Sequence, residues 1–259
     1  MKVPLSWLNE YVKLPPKITP EQISQAFINV GFEVEAIDRQ GENLKGPILV
    51  GKVVSIEELP ENKKPIRYVE LDLGAKQNRF VICGARNFKV NDLVVVALPG
   101  AVLPGNFAIS ARETYGKTSN GMICSSRELG LGDDHSGIMV FAEGDVEIGA
   151  DAIAGLEIND TIFDIAVNPD RGYALSIRGI AREVAGSLGL KFTDPVDALR
   201  KVSFADSGKG VAAKIEDPKT ASVFYLRTLS NFDPSAKTPM WMRRRIEKMG
   251  MRSISLVVD

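Results

Sequence analysis

The chain has 259 residues, 44% hydrophobic and 25% charged, with 32 Lys and Arg against 33 Asp and Glu for a formal net charge of -1. These fractions are those of a globular protein of one or two domains, and they exclude collagen-like, disordered and coiled-coil classes. The charge balance excludes a protein that coats nucleic acid by bulk charge. One His (His135) and two Cys (Cys83, Cys124) exclude a Cys-rich zinc module, a multi-imidazole metal site and a disulfide scaffold.

In chain order, Leu5, Trp7, Leu8, Tyr11 and Val12 give a helix an apolar face after Pro4, and Pro15-Pro16 ends it. Thr19-Pro20-Glu21-Gln22 carries a cap, a proline at the first helical position and a glutamine three residues after the cap. Ile23, Phe27 and Val30 then share one face, and Gly31 is the stop. Phe32 to Ile37 alternates as a half-buried strand.

Gly41 to Pro47 reads as a polar linker, and short strands with turn signals follow to about Ala142. The first, Ile48 to Ile56, places Gly51 at an expected bulge. Tyr68 to Leu73 alternates with Val69, Leu71 and Leu73 on the buried side. Arg79 to Cys83 is the next strand. Leu93 to Leu98 is continuously apolar and is expected to be buried on both faces. About five such strands predict a small closed barrel of the OB type.

Helix returns at Ser176, which caps a segment with Ile177, Ile180, Ala181, Val184, Ala185 and Leu188 on one face and Gly189 at its end. Asp194 to Gly210 reads as loop and Val223 to Leu229 as a strand. Thr238-Pro239 opens a helix with Met242, Ile246 and Met249 expected inward and Arg243, Arg244, Arg245 and Lys248 outward. Ile254 to Asp259 reads as a strand, which suggests a cut inside a domain. No apolar run approaches the length of a membrane span, and no leader pattern precedes the first helix, so the expected compartment is the cytoplasm.

Catalytic signatures are missing. There is no P-loop fingerprint and no Gly-x-Gly-x-x-Gly after a strand. Asp133-Asp134-His135 lies among glycines and reads as a turn with solvated carboxylates. Cys83 and Cys124 read as buried apolar thiols. Charge distribution is more informative. From Lys45 to Lys117 there are eleven basic residues against seven acids, a local +4, whereas Glu128 to Glu147 holds six acids and no base. A basic groove with stacking aromatics such as Phe80, Phe88 or Tyr115 suits single-stranded nucleic acid. On charge alone a solvated surface competes with that reading, as it does for Arg243-Arg244-Arg245.

Several blocks resemble one family, the bacterial phenylalanine–tRNA ligase beta subunit. Met1 to Val12 looks like its opening, and Gly31-Phe32-Glu33-Val34-Glu35 like its next landmark. Val81 to Asn87 and Val96 to Pro104 are similar to its OB-type module. Ser119 to Ile138 is the most specific block, Asn168 to Glu183 resembles the return segment, and Trp241-Met242-Arg243 with Ser253 to Asp259 resembles the first part of the editing domain. Glu57 to Arg67 lacks the family's His-Pro-Asn-Ala-Asp-style turn, and Glu113 to Thr118 is less basic than in many members.

The resemblance implies an α+β multidomain chain. Residues 1–39 and 152–195 would form a split α+β domain with Trp7, Phe27, Ile180 and Val184 in a common core. Residues 40–151 would be an inserted OB-fold tRNA-binding domain, and 201–259 the incomplete start of a B3/B4-type editing domain. It implies tRNA(Phe) and the ligase alpha subunit (in an α2β2 assembly) as partners, with no membrane. No cofactor is expected on this stretch; ATP and Mg belong to the full enzyme, catalysis to the alpha subunit and editing to downstream residues. Editing compensates for a packing limit, since an apolar pocket rejects an added hydroxyl only about a hundredfold. The candidate tRNA contacts are Lys52, Arg79, Arg86, Lys89, Arg112, Lys117, Ser119 and Asn120. The alternative reading is a stand-alone OB-fold tRNA-binding module without ligase activity, and a purely scaffolding barrel is a third.

Overall fold

A computed structural model describes residues 1–59, 66–132, 137–141, 144–203 and 210–259. Lys63, Lys64 and the Asp133-Asp134-His135 turn lie outside the described residues. The chain divides into two compact units, Met1–Thr193 with Lys237–Asp259, and Asp194–Ala236.

In chain order the elements begin with β1 (Lys2–Pro4), α1 (Leu5–Tyr11), α2 (Pro20–Asn29) and β2 (Glu33–Gln40). The strands β3 (Ile48–Leu59), β4 (Ile66–Asp72), β5 (Arg79–Cys83) and β6 (Leu93–Ala97) follow. Six short strands come next: β7 (Val102–Leu103), β8 (Phe107–Ala108), β9 (Arg112–Thr114), β10 (Lys117–Ser119), β11 (Met122–Ile123) and β12 (Val140–Phe141). The remainder is α3 (Ala152–Gly155), β13 (Asp160–Ala166), α4 (Ile177–Leu188), α5 (Val196–Leu199) and α6 (Met240–Lys248).

The helix starts follow their local chemistry. Thr19 and Gln22 form a reciprocal capping box, each side chain bonding the other's backbone N–H. The Ser176 hydroxyl accepts from the Gly179 N–H, and Gly189 ends α4 at φ 64°. β13 pairs with both β1 and β2 in a three-stranded antiparallel sheet. Phe27, Ile180 and Val184 pack against it in one core, with Trp7 at the margin.

The second sheet runs β11-β6-β3-β4-β5 with β12 also on β6, all antiparallel. Its free edges meet. The Asn120 N–H donates to the Phe80 carbonyl at 2.7 Å, and the Ile82 N–H donates to Ser119 Oγ at 2.9 Å. The result is a nearly closed antiparallel barrel with a few helices, as the OB reading requires at this level. Val69, Leu71 and Leu73 point inward as alternation predicts, and join Val53, Val81, Val94 and Val96 in the barrel's interior.

β6 is buried on both faces, as its unbroken apolar run predicts. Leu93, Val95 and Ala97 face a separate core outside the barrel. That core covers Ile48 and Val50 of β3 and includes Cys124, Leu129, Leu156, Ile158 and Met240.

Four local expectations are corrected. The register shift in β3 falls between Val53 and Ser55, so Val54 is the extra residue and Gly51 is not at a bulge. Gly51 is required for close approach instead: a Cβ there would lie 2.8 Å from Leu73 Cδ2 and 3.0 Å from Val96 Cγ2. On α6 the buried stripe is Met240, Arg244 and Lys248, not the outward cations expected. Glu247 takes Arg244 at 2.8 Å, and Lys248 Nζ reaches Asp160 at 2.7 Å with both side chains at most 3% exposed. Ile254 to Asp259 forms a turn rather than a strand. The Asp259 carboxylate accepts from the Ile254 N–H and the Ser253 and Thr238 hydroxyls.

In the unit Asp194–Ala236, Val223 to Leu229 also forms no strand. It has no ladder among the described residues, and Phe224, Tyr225 and Leu229 are exposed. A strand call from β propensity alone omits the need for a partner edge.

Candidate nucleic-acid interface

Alternation along β4 and β5 creates the candidate site. The residues that send Val69, Leu71, Val81 and Cys83 inward leave Tyr68, Glu70, Phe80 and Ile82 on the outside. Tyr68 is opposite Ile82 and Glu70 opposite Phe80 in the ladder. The Tyr68 and Phe80 rings stack with centroids 5.2 Å apart and planes at 19°. The β9–β10 hairpin brings Lys117 over this pair, with Nζ 4.9 Å from the Tyr68 ring centroid. The Tyr68 hydroxyl donates to the Thr118 carbonyl at 3.2 Å, which fixes the ring beneath the hairpin.

Acids from β3 hold much of the positive charge in place. Lys117 Nζ lies 2.9 Å from Glu57 Oε2 and 3.1 Å from Glu57 Oε1. Arg86 grips Glu58 with two bonds of 3.0 and 2.9 Å, and Arg67 shares that carboxylate at 2.9 Å. Desolvation pushes the Glu58 carboxyl up, but hydrogen bonds from Arg67 and Arg86 outweigh it and hold the group below its ordinary value. Hydrogen bonds from Asn78 and Ser55 likewise lower Glu70. The face therefore presents aromatics and paired charges rather than a bare cationic strip.

The eight candidate contacts divide among four places. Lys117, Arg112, Ser119 and Asn120 gather at the Tyr68–Phe80 face and the hairpin beside it. Lys52 and Lys89 line a different open cavity of about 730 Å³, together with Lys237, Val90 and Ile148. Arg86 is tied to Glu58. Arg79 is exposed at the first position of β5 and has no ion pair among the described residues. Ser119 Oγ serves the fold, accepting from Ile82 and donating to the Gly121 carbonyl at 3.0 Å, and Asn120 contributes its backbone N–H.

Of the three aromatics expected to stack, Phe80 stands on the face and Tyr115 is exposed. Phe88 is corrected: it is 5% exposed, packed in the barrel interior beneath the Arg67 guanidinium, and offers no free ring face. Tyr68 and Phe107 were missed. Tyr68 was recoverable from the alternation already used for Val69. Phe107, 44% exposed on a two-residue strand, had no periodic signal.

Among the described residues no three of His, Cys, Asp and Glu gather where they could hold a metal ion, and no helix is long and apolar enough to cross a membrane. The Cys124 thiol is pushed up to about 12, and Cys83 is also raised, chiefly by burial.

Residues 48–151, which contain the barrel, match a family model described as "Putative tRNA binding domain". Over its whole length the chain is 53% identical to the phenylalanine–tRNA ligase beta subunit of Thermobifida fusca, 52% to that of Streptomyces avermitilis and 45% to that of Nocardia farcinica. In each case it spans 31% of the relative's length.

Proposed function

As an end-to-end relative of phenylalanine–tRNA ligase beta subunits over about a third of their length, the chain is, we propose, the N-terminal portion of such a subunit, supplying tRNA contact and scaffold rather than chemistry. The observation that carries this reading is the Tyr68–Phe80 stack under Lys117, on the outer face of a barrel that matches a tRNA-binding domain family. Aromatic platforms accept any base through its π face, and nearby cations meet the backbone phosphates. Similarity through the segments flanking the barrel favours a ligase subunit over a stand-alone binding module.

On this reading residues 40–151 are an OB domain inserted into an α+β domain made of 1–39 and 152–195, and 201–259 begins the editing domain. The partners are tRNA(Phe) and the ligase alpha subunit, and the compartment is the cytoplasm. ATP and Mg chemistry belongs to the parts of the enzyme this chain does not span.

A salt titration of tRNA binding by the whole chain tests the reading. The logarithm of the affinity should fall linearly with the logarithm of salt, by about 0.7–0.9 for each phosphate neutralised. No binding at low salt, or binding indifferent to salt, overturns it. With ATP, phenylalanine and tRNA supplied, the chain alone should produce no charged tRNA.

A further inference from the structure

Next to the aromatic face lies a small cavity of about 200 Å³, walled by Ile82, Phe107, Arg112, Thr114 and Ser110. Ile82 is also the ladder partner of Tyr68, so the cavity opens directly beside the Tyr68–Phe80 stack. Its volume lies below the roughly 300–1,000 Å³ of pockets that hold drug-sized ligands. That is room for one planar ring system rather than a whole nucleotide. The Arg112 guanidinium lies 5.9 Å from the Phe107 ring centroid. It has no ion pair among the described residues, unlike Lys117 and Arg86. Ser110 and Thr114 place hydroxyls in the wall that make no hydrogen bond among the described residues.

We propose that this cavity takes a single unstacked base of a single-stranded RNA segment, stacked on Phe107. Arg112 leaves the ring when the base enters and pairs with an adjacent phosphate. The proposal rests on the tRNA-binding reading and deepens it, because it turns a general platform into one with a defined base position. Three features support it. An exposed aromatic and an unpaired guanidinium at one small opening are the groups that hold splayed-out bases. Free hydroxyls in the wall can meet a base edge. The cavity also continues the surface on which neighbouring bases would stack.

The test uses the whole chain with two probes: a tRNA transcript, and a six-nucleotide single-stranded RNA with versions carrying one abasic site at each position. The variants are Phe107→Leu, which keeps bulk and removes the π face, and Phe107→Tyr, which keeps both. One abasic position should cost the unmodified chain about tenfold in affinity. F107L should lose the same factor on the intact strand and become insensitive to that position, while F107Y behaves like the parent. The absence of a sensitive position, or an equal loss by F107L on intact and abasic strands, overturns the base pocket. So does tRNA binding without hexamer binding. In each of these cases the tRNA reading stands if tRNA is still bound. If neither RNA binds at low salt, that reading falls and the pocket falls with it.

Discussion

One strand separates two kinds of barrel exterior. On β3 the outward residues Ile48 and Val50 are fully buried under a second apolar core, whereas Ser55 and Glu57, further along the same side, are exposed. The extra residue at Val54 keeps Val53 and Ile56 both turned to the interior, so the strand bends without exchanging its faces. The covered half packs against a core of apolar side chains with the Cys124 thiol among them. The open half carries a ring pair, the carboxylates Glu57 and Glu58 with the cations that answer them, and Glu70 held by Ser55 and Asn78. A barrel interior needs apolar residues all the way round, so the interior does not reveal which outer surface is used. The change in chemistry along the outside of β3 does.

Substitutions on the two halves should therefore differ in what they damage. Ile48→Ala, on the covered half, should cost about 2–5 kcal/mol of stability through lost burial and a residual cavity, measured by urea denaturation. Ser55→Ala, on the open half, should stay within about 0.5 kcal/mol. Similar losses at both positions would show that the exposed half is not a free surface. The covered core also contains Cys124, whose thiol is raised to about 12 against an ordinary 9.0. Because the folded state holds that proton more tightly, its contribution to stability is complete below about pH 9 and is lost as pH rises toward 12. Cys124 should resist thiol reagents at neutral pH until the chain is unfolded. Rapid labelling of the native chain at Cys124 would contradict the covered core.

The open half should respond in binding instead. Tyr68→Ala removes one ring of the stack and should weaken tRNA binding by about 1–3 kcal/mol, while Tyr68→Phe, which loses only the bond to Thr118, should lose much less. Equal losses for both would mean that the hydroxyl's hold on the hairpin, rather than the ring face, carries the contact.

What could be read from the sequence follows the range of the interaction. The Thr19–Gln22 box, the Ser176 cap, the bounds of β5 and the inward set Val69, Leu71 and Leu73 depend on neighbours within a few residues, and all were legible. The orientation of α6 was not. Arg244 and Lys248 look like solvated cations until Asp160, 88 residues before Lys248, is brought to the end of the second. The stretches 223–229 and 254–259, which join no ladder among the described residues, show the same dependence on distant partners, since propensity names a strand and only an edge makes one. At the site, the candidate cations were chosen by charge. Closure of the barrel places Lys52 and Lys89 in a different cavity from Arg112. The acids that answer Lys117 and Arg86 stood in the sequence at Glu57 and Glu58, but the strand pairing that aligns them did not.

The smallest expected effect concerns those acids. Glu57 holds Lys117 beside Tyr68 at 2.9 Å, and an exposed pair of this kind contributes little to stability. Its influence on RNA is of opposite sign to that of the cations, because the carboxylate both neutralises Lys117 and repels a phosphate. Glu57→Gln should leave urea denaturation unchanged within about 0.5 kcal/mol and tighten tRNA binding a few-fold at low salt. If the freed Lys117 gains a phosphate contact, the salt slope should steepen by up to about 0.9, and the gain should shrink as salt is added. Weaker binding by E57Q at every salt concentration would show that the carboxylate's main role is to aim Lys117 over the stack. The open half would then be an arranged site whose acids belong to its geometry, and its affinity would be set by the position of the cation more than by its charge.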